Sequence, residues 1–311
     1  MKAPTKGDLD LTPDASGPDD SDAPSHPEGP EHDSHRSHRG RRRALIAVGV
    51  VVVVMAAVAG WVTFGGQRAQ QSSEDQARQR IAPSAGTNET TVPRAAGDLM
   101  AAPAAGLYRY QGTGHEKTSF PPLTEEQGPS MPGTVVPEAG GCWRVQIDYN
   151  THHWQSWSYC TVNGQLRETK STSFSRRNLG GTDIDNSSEF ICEPANVIVT
   201  ADDRGGMTRP KSCTGKGTFV PGETISAGTT TVVGPEQIDV GGQIVPTMHV
   251  RFDLTYTGGQ AGTEKSDAWF ATATGLPVRN EHHIDVATDT PFGAITYTED
   301  ANFTLQTPSP V

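Results

Sequence analysis

The stretch CWRVQIDYNTHHWQSWSYC, residues 142–160, is bracketed by two cysteines and alternates apolar with polar side chains. Pairing its two halves symmetrically brings Cys142 opposite Cys160 and Trp143 opposite Tyr159. Such alternation with aromatic cross-strand pairs is typical of a half-buried antiparallel sheet. The stretch therefore predicts a hairpin whose two strands are joined by a disulfide bond.

One face of this hairpin is apolar and is expected to form core or to face a ligand. A strand places alternate side chains on the same face. The members of the apolar face are Trp143, Val145, Ile147, Tyr149, Trp157 and Tyr159. Trp154 falls on the polar face near the turn, where the alternation gives no reason for it.

The chain continues as further strands separated by turn residues. Asn163-Gly164 and Gly241-Gly242 predict hairpin turns, because these residues tolerate positive φ. Later segments such as MHVRFDLTYT and GAITYTEDANFTL alternate β-branched or aromatic residues with polar ones. Residues 107–311 are therefore predicted to form a mainly β domain, a curved antiparallel meander closing only halfway into a barrel. A β-sandwich is the alternative.

The cysteines favour an oxidising compartment. The chain has four, Cys142, Cys160, Cys192 and Cys213, and all lie in the predicted β domain. Four cysteines allow three pairings, and the sequence alone does not choose between them. The hairpin register favours Cys142–Cys160, which leaves Cys192–Cys213. Because no C-x-x-C spacing occurs, zinc ribbons and thioredoxin-like chemistry are not expected.

The amino-terminal region predicts a tail and a membrane helix. Residues 1–43 are rich in Pro, Asp, Ser, Gly and His, and are expected to be disordered. Residues 44–64 carry no charge, and about 20 apolar residues cross a hydrocarbon core of ~30 Å as one helix. A signal peptide cleaved near the AVA sequence at 57–59 is the alternative. Residues 65–106 are predicted to be a flexible linker with a short helix in SEDQARQRI.

The charges along the chain predict its orientation in the membrane and the class of partner that it does not bind. The arginine cluster 39–43 precedes the apolar run, so the amino terminus is expected in the cytoplasm and the β domain outside the cell membrane. The membrane is then a partner through a single span. The net charge of −11 argues against nucleic acid.

No stretch of the sequence carries a recognisable catalytic, metal or cofactor motif. The histidine pairs at 152–153 and 282–283 cannot chelate as adjacent residues, because neighbours on a strand point to opposite faces. One member of each pair is able to meet across the sheet, with Asp285 or Glu281 completing a site. Since no spacing matches a known ligand pattern, we expect no catalytic residues, no bound metal and no cofactor.

The segment DAWFATATGLPVR, residues 267–279, predicts a strand, a tight turn at Thr274-Gly275 and another strand, with Trp269 packing inward. This hairpin, within a run of strands behind a membrane anchor, resembles lipoprotein-carrier-like domains of the LolA, LppX and RseB type. The external part is also similar to a family of actinobacterial membrane-anchored proteins. The resemblance implies a curved half-barrel whose concave face binds acyl chains.

These observations predict a non-enzymatic, membrane-tethered protein of the cell envelope whose β domain binds a hydrophobic ligand or lipid. A sheet that closed on itself would leave no pocket under this hypothesis. The first alternative is a sensor or interaction module that binds a protein or the cell wall. A hydrolase or metal enzyme is the second alternative.

Overall fold

The computed structural model describes residues 70–81, 100–179, 181–291 and 293–311. The predicted tail and the predicted membrane helix, residues 1–43 and 44–64, lie outside these ranges. Within them, no helix is both long enough and apolar enough to cross a membrane. The predicted boundaries of tail, membrane helix, linker and β domain therefore stay predictions.

Thirteen β-strands make up most of the described chain beyond residue 105. Their bounds are β1 (Gly106–Ser119), β2 (Pro122–Gln127), β3 (Ser130–Glu138), β4 (Cys142–Asp148), β5 (His153–Val162), β6 (Gln165–Leu179), β7 (Thr182–Thr200), β8 (Thr208–Gly217), β9 (Thr224–Val240), β10 (Gln243–Gly258), β11 (Ala261–Ala271), β12 (Pro277–Thr290) and β13 (Gly293–Leu305). A 3-10 helix, Ala139–Gly141, joins β3 to β4, and the α-helix α1 spans Glu74–Ile81.

The strands form a single antiparallel sheet that closes into a barrel. From β3 to β13 each strand pairs with the next along the chain, and β3 also pairs with β1. The ring closes where β1 pairs with β13, from Tyr110 opposite Leu305 to Thr118 opposite Tyr297. Since β2 extends the β3 side of β1, twelve of the strands form the ring.

The predicted antiparallel meander is confirmed, and two finer expectations are corrected. The sheet is not an open half-barrel, because β1 and β13 satisfy each other's edge hydrogen bonds. It is not a sandwich either, because all strands belong to one continuous sheet.

The hairpin of residues 142–160 has the predicted register. Cys142 pairs with Cys160, Trp143 with Tyr159, and Val145 with Trp157. The turn pairs also behave as expected. Asn163 and Gly164 have φ values of 51° and 70°, and Gly241 and Gly242 have 61° and 84°.

A hydrophobic core fills the end of the barrel that carries the β5–β6, β9–β10 and β11–β12 turns. Leu166, Val240 and Leu276 beside these turns are almost fully buried in one cluster. A Cβ at Gly275 would lie 2.8 Å from Leu166 Cδ1, so the β11–β12 turn packs directly against β6. Tyr110 adds a hydrogen bond of 2.9 Å from its hydroxyl to the carbonyl oxygen of Pro277.

Helix α1 lies in the segment where the sequence predicts a short helix. Ser73 and Gln76 form a capping box, because each side chain accepts a hydrogen bond of 3.2 Å from the other's backbone N–H. Ala77 is fully buried, and Glu74 contacts Arg109 of β1 at 2.6 Å. The helix therefore packs on the outside of the barrel wall.

Candidate functional site

The end of the barrel opposite the core contains a cavity of about 590 Å³. Its mouth is lined by an apolar collar, which consists of Phe120, Pro121, Leu123, Ile184, Phe190, Phe219, Val220 and Ile295. The collar is open to solvent, since Phe120 is 65 % exposed and Phe219 is 58 % exposed.

The cavity corrects the expectation that a closed sheet would leave no pocket. Barrel diameter grows with strand number: about eight strands leave an interior that side chains can fill, and larger barrels enclose cavities. With twelve strands, the core fills one end and the other end stays open.

Below the collar, the barrel interior carries charged and amide side chains. We call this set the inner polar cluster, which consists of Glu116, Gln127, His153, Gln155, Arg177, His282, Tyr297 and Glu299. All come from β1, β2, β5, β6, β12 and β13. The cluster meets the cavity through its members on β5, β6, β12 and β13.

Glu299 lies at the centre of the inner polar cluster and is 1 % exposed. Gln127 and Gln155 donate amide hydrogen bonds of 2.8 and 3.0 Å to its two oxygens. Tyr297 donates its hydroxyl at 2.9 Å. His153 and His282 each place a ring nitrogen 3.5 Å from Glu299 Oε1.

Glu116 and Arg177 form the second part of the cluster. Arg177 contacts Glu116 Oε2 at 2.7 Å and Glu125 Oε2 at 2.9 Å. The hydroxyl oxygen of Tyr297 also lies 3.1 Å from Glu116 Oε2, although its single proton serves the shorter contact to Glu299. Oε1 of Glu116 is buried and has no hydrogen-bond partner among the described residues.

Burial and the contacts within the inner polar cluster shift the pKa values of Glu299, His282 and Tyr297. Burial alone raises the pKa of Glu299, but His153, His282 and Gln127 outweigh it and hold the pKa well below its usual range. Burial lowers the pKa of His282, but Glu299 outweighs it, and the net pKa is raised. Burial raises the pKa of Tyr297 well above its usual value, as do the two neighbouring carboxylates, so its hydroxyl remains a donor.

His282 is oriented by a second contact. Its Nδ1 lies 3.0 Å from Asn280 Oδ1, an acceptor that fixes a proton on Nδ1. A neutral ring would then direct the lone pair of Nε2 towards the carboxylate of Glu299. Protonation of Nε2 removes this repulsion, which agrees with the raised pKa of His282.

The structure places the predicted apolar residues in two environments. Trp143, Val145, Ile147, Tyr149 and Tyr159 are buried in the core cluster. Trp157 is partly buried and packs against that cluster, and both Trp157 and Tyr159 also line the cavity.

Trp269 lies on the outer face of the barrel and not inward as predicted. Its strand neighbours Ala268 and Phe270 line the cavity, so the alternation points Trp269 outward. There its ring stacks on His249 with centroids 4.2 Å apart. Arg279 lies 4.7 Å above the ring, and the indole N–H donates to Glu236 at 2.8 Å.

Trp154, which the alternation left without explanation, has a partner on the neighbouring strand. It pairs with Phe174 of β6, and the two rings stack with centroids 5.5 Å apart and an interplanar angle of 13°. The side chain therefore forms an aromatic cross-strand pair on the polar face.

Both favoured disulfide bonds are present, Cys142–Cys160 and Cys192–Cys213. Glu168 lies close to the second pair, in an arrangement with the ligand spacing of a metal site. The two sulfur atoms are bonded to each other, however, so they offer no thiolate to a metal ion.

One histidine of each predicted pair does meet across the barrel, but around a different carboxylate. His153 and His282 share Glu299, whereas Asp285 and Glu281 are exposed residues of β12. The other two histidines diverge. His152 lies 3.7 Å from Glu125, and His283 points outward to Asp300 at 2.6 Å.

Comparisons with known proteins give no family. No family model matches the chain, and no curated protein matches it. A solved structure that matches is described as the hypothetical lipoprotein YmcC from Escherichia coli (K12). It shares 12 % identity over 76 % of this chain and 100 % of its own, with a TM-score of 0.29. A TM-score this low supports no inference about fold or function, so the resemblance to lipoprotein carriers stays a prediction.

The sequence did contain a signal for the inner carboxylates. In β13 the residues Tyr297, Glu299, Ala301 and Phe303 share one face, so Glu299 interrupts an otherwise apolar and aromatic row. In β11 Glu264 likewise shares its face with Ala268 and Phe270. A charged residue in the apolar phase of a strand indicates an inward-facing polar site.

Proposed function

We propose that this protein is a non-enzymatic, membrane-tethered protein of the cell envelope whose barrel binds an amphiphilic ligand. The observation that supports this most directly is the cavity of about 590 Å³ with its exposed apolar collar. Its volume falls in the range of small-molecule sites, which combine mostly apolar walls with a few placed polar groups. The collar suits an apolar chain, and the inner polar cluster suits a polar head.

The proposed location rests on the sequence and on the disulfide bonds. Residues 44–64 are uncharged and follow the arginine cluster 39–43, a pattern that favours an anchor with its amino terminus inside. Two disulfide bonds in one domain suit an oxidising compartment. The anchored, extracytoplasmic arrangement is thus part of the proposal.

The test uses the full chain in nanodiscs of phosphatidylcholine and a neutral apolar dye, N-phenyl-1-naphthylamine. Dye fluorescence is measured against empty nanodiscs. Ser266 faces the cavity, and its neighbour Lys265 is exposed, so Ser266→Trp occupies part of the cavity and Lys265→Trp adds the same ring outside. We expect saturable binding that Ser266→Trp weakens about tenfold and Lys265→Trp leaves unchanged, because only the first removes buried apolar contact.

Dye binding that is absent, or that both variants weaken equally, contradicts a cavity ligand. The alternative of a protein- or cell-wall-binding module predicts that outcome. Circular dichroism of each variant verifies that the barrel is folded.

A further inference from the structure

The charged side chains that line the cavity differ in whether they have a partner of opposite charge. Three glutamates line it, namely Glu168, Glu264 and Glu299. Glu168 is paired with Lys211, and Glu299 lies beside two histidines. For Glu264, the hydrogen bonds from the described residues come from hydroxyl groups, those of Tyr256 and Ser266, and its carboxylate contributes to the raised pKa of His282.

The cavity's two permanent cations are both engaged by carboxylates. Arg177 lies between Glu116 and Glu125. Lys211 contacts Glu168 and also lies 4.7 Å above the ring of Phe252. An anionic ligand would therefore have to compete with a carboxylate already in place for each of these cations.

Acceptor atoms without hydrogen-bond partners, by contrast, lie in and below the cavity. Oε1 of Glu116, Oε1 of Gln127 and Oδ1 of Asn186 are buried without a hydrogen-bond partner among the described residues. Glu116 and Gln127 are 1 % and 4 % exposed. Buried acceptors without donors are costly, and Asn186 lines the cavity, so a ligand that brings a donor is favoured there.

Glu264 lies beside aromatic rings that suit a cation. Tyr256, which donates its hydroxyl to Glu264, is in edge-to-face contact with Phe190 at 5.8 Å between ring centroids. All three side chains line the cavity. Ammonium groups bind favourably over aromatic faces, and charge-assisted hydrogen bonds to a carboxylate add to this attraction.

We propose that the ligand is a cationic amphiphile whose ammonium head binds at Glu264, beside the contacting rings of Tyr256 and Phe190. This inference rests on the proposed ligand-binding function and adds the charge of the head. The apolar chain extends from this position towards the collar, whose members Ile184 and Phe219 line the same cavity.

The experiment compares three ligands with the same ten-carbon chain, namely decylamine, 1-decanol and decanoate. Each displaces N-phenyl-1-naphthylamine from the full chain in phosphatidylcholine nanodiscs at pH 7.5, below its critical micelle concentration. We expect decylamine to displace the dye at a concentration about tenfold lower than decanol. Decanoate should be the weakest of the three, because it would face Glu264 without a free cation.

Two variants test whether the preference for decylamine over decanol originates at Glu264. Glu264→Gln keeps an acceptor for Tyr256 but removes the charge, so it should abolish the preference for decylamine and leave decanol unchanged. Asp285→Asn is the matched control. It removes one negative charge from an exposed position of β12, next to Ile284, which pairs with Glu264. This control should retain the full preference.

The outcomes separate the two proposals. Equal displacement by decylamine and decanol, or a preference that survives Glu264→Gln, overturns the cationic head but keeps the apolar ligand site. If decanoate binds more tightly than decylamine, the cationic head is likewise overturned and an anionic amphiphile is favoured. Failure of the dye and of all three ligands to bind overturns the ligand-binding function itself.

Discussion

Three neighbouring strands carry histidine–carboxylate sets on both faces of the barrel wall. The inner set consists of Glu116 on β1, Glu299 on β13 and His282 on β12. The outer set lies one residue away on each strand and consists of His115, Asp300 and His283. Asp300 lies 3.6 Å from His115 and 2.6 Å from His283, so both sets join imidazoles to a carboxylate.

The two sets differ in environment more than in composition. The side chain of Glu299 is 1 % exposed, whereas that of Asp300 is 50 % exposed. Charges interact strongly in a low-dielectric interior and are screened at the surface. The comparison teaches that burial, and not the kind of residue, makes the electrostatic interactions of the inner set the stronger ones.

The largest expected effect comes from removing the central carboxylate of the inner set. Glu299→Gln leaves His153, His282 and Tyr297 without their charged partner, and breaking a buried ion pair costs about 3–5 kcal/mol. The outer variant Asp300→Asn should cost about 1 kcal/mol or less, because exposed pairs contribute little. Urea unfolding of the full chain, followed by tryptophan fluorescence, measures both. Similar losses for the two variants would contradict the role assigned to burial.

The two disulfide bonds also differ in burial. Cys192 and Cys213 are 2 % and 4 % exposed, whereas Cys142 and Cys160 are partly exposed on the outer face. Thiol exchange requires access to sulfur, so a mild reductant should open Cys142–Cys160 first. Sequence separations of 18 and 21 residues imply that each bond stabilises the barrel by about 3 kcal/mol in the chain-entropy model.

The order of reduction is measured by alkylating the free thiols at successive times after the reductant is added and identifying the modified cysteines by peptide mass spectrometry. In a variant with both Cys142→Ala and Cys160→Ala, only the slower reduction of Cys192–Cys213 should remain. Faster opening of the buried bond would mean that the wall at β7 and β8 opens more readily than the structure indicates.

The smallest expected effect is a pH dependence of stability that originates inside the barrel. The pKa of His282 is raised from 6.5 in the folded state, so its contribution is present below pH 6.5 and is lost as the pH rises through the raised pKa. The pKa of Glu299 is lowered from 4.5, so its contribution is present above pH 4.5 and is lost as the pH falls.

Unfolding free energies measured between pH 4 and pH 9 would test this linkage. His282→Asn should reduce the decline on the alkaline side, since it removes the group whose pKa is raised. His283→Asn, which removes an imidazole from the outer set, should retain that decline. A profile that His282→Asn leaves unchanged would refute the linkage.

Local patterns were sufficient for the strands and for the central hairpin. The register of Trp143 with Tyr159 follows from alternation, because a slip of one residue would move every apolar side chain to the wrong face. The same rule separated His152 from His153 and His282 from His283. The prediction for Trp269 was wrong because it followed the apolar identity of the residue and not the alternation along β11, which places this side chain on the outer face.

By itself, the sequence determined the β class, the favoured disulfide pairs and the turns, because these depend on residues near each other along the chain or on period-two alternation. Only the tertiary structure decided that the sheet closes, since closure joins Tyr110 to Leu305 across 195 residues. Closure in turn brings Glu116, His153, His282 and Glu299 together from separate strands. Alternation indicates which side chains face inward, but strand number and long-range pairing determine which of them meet.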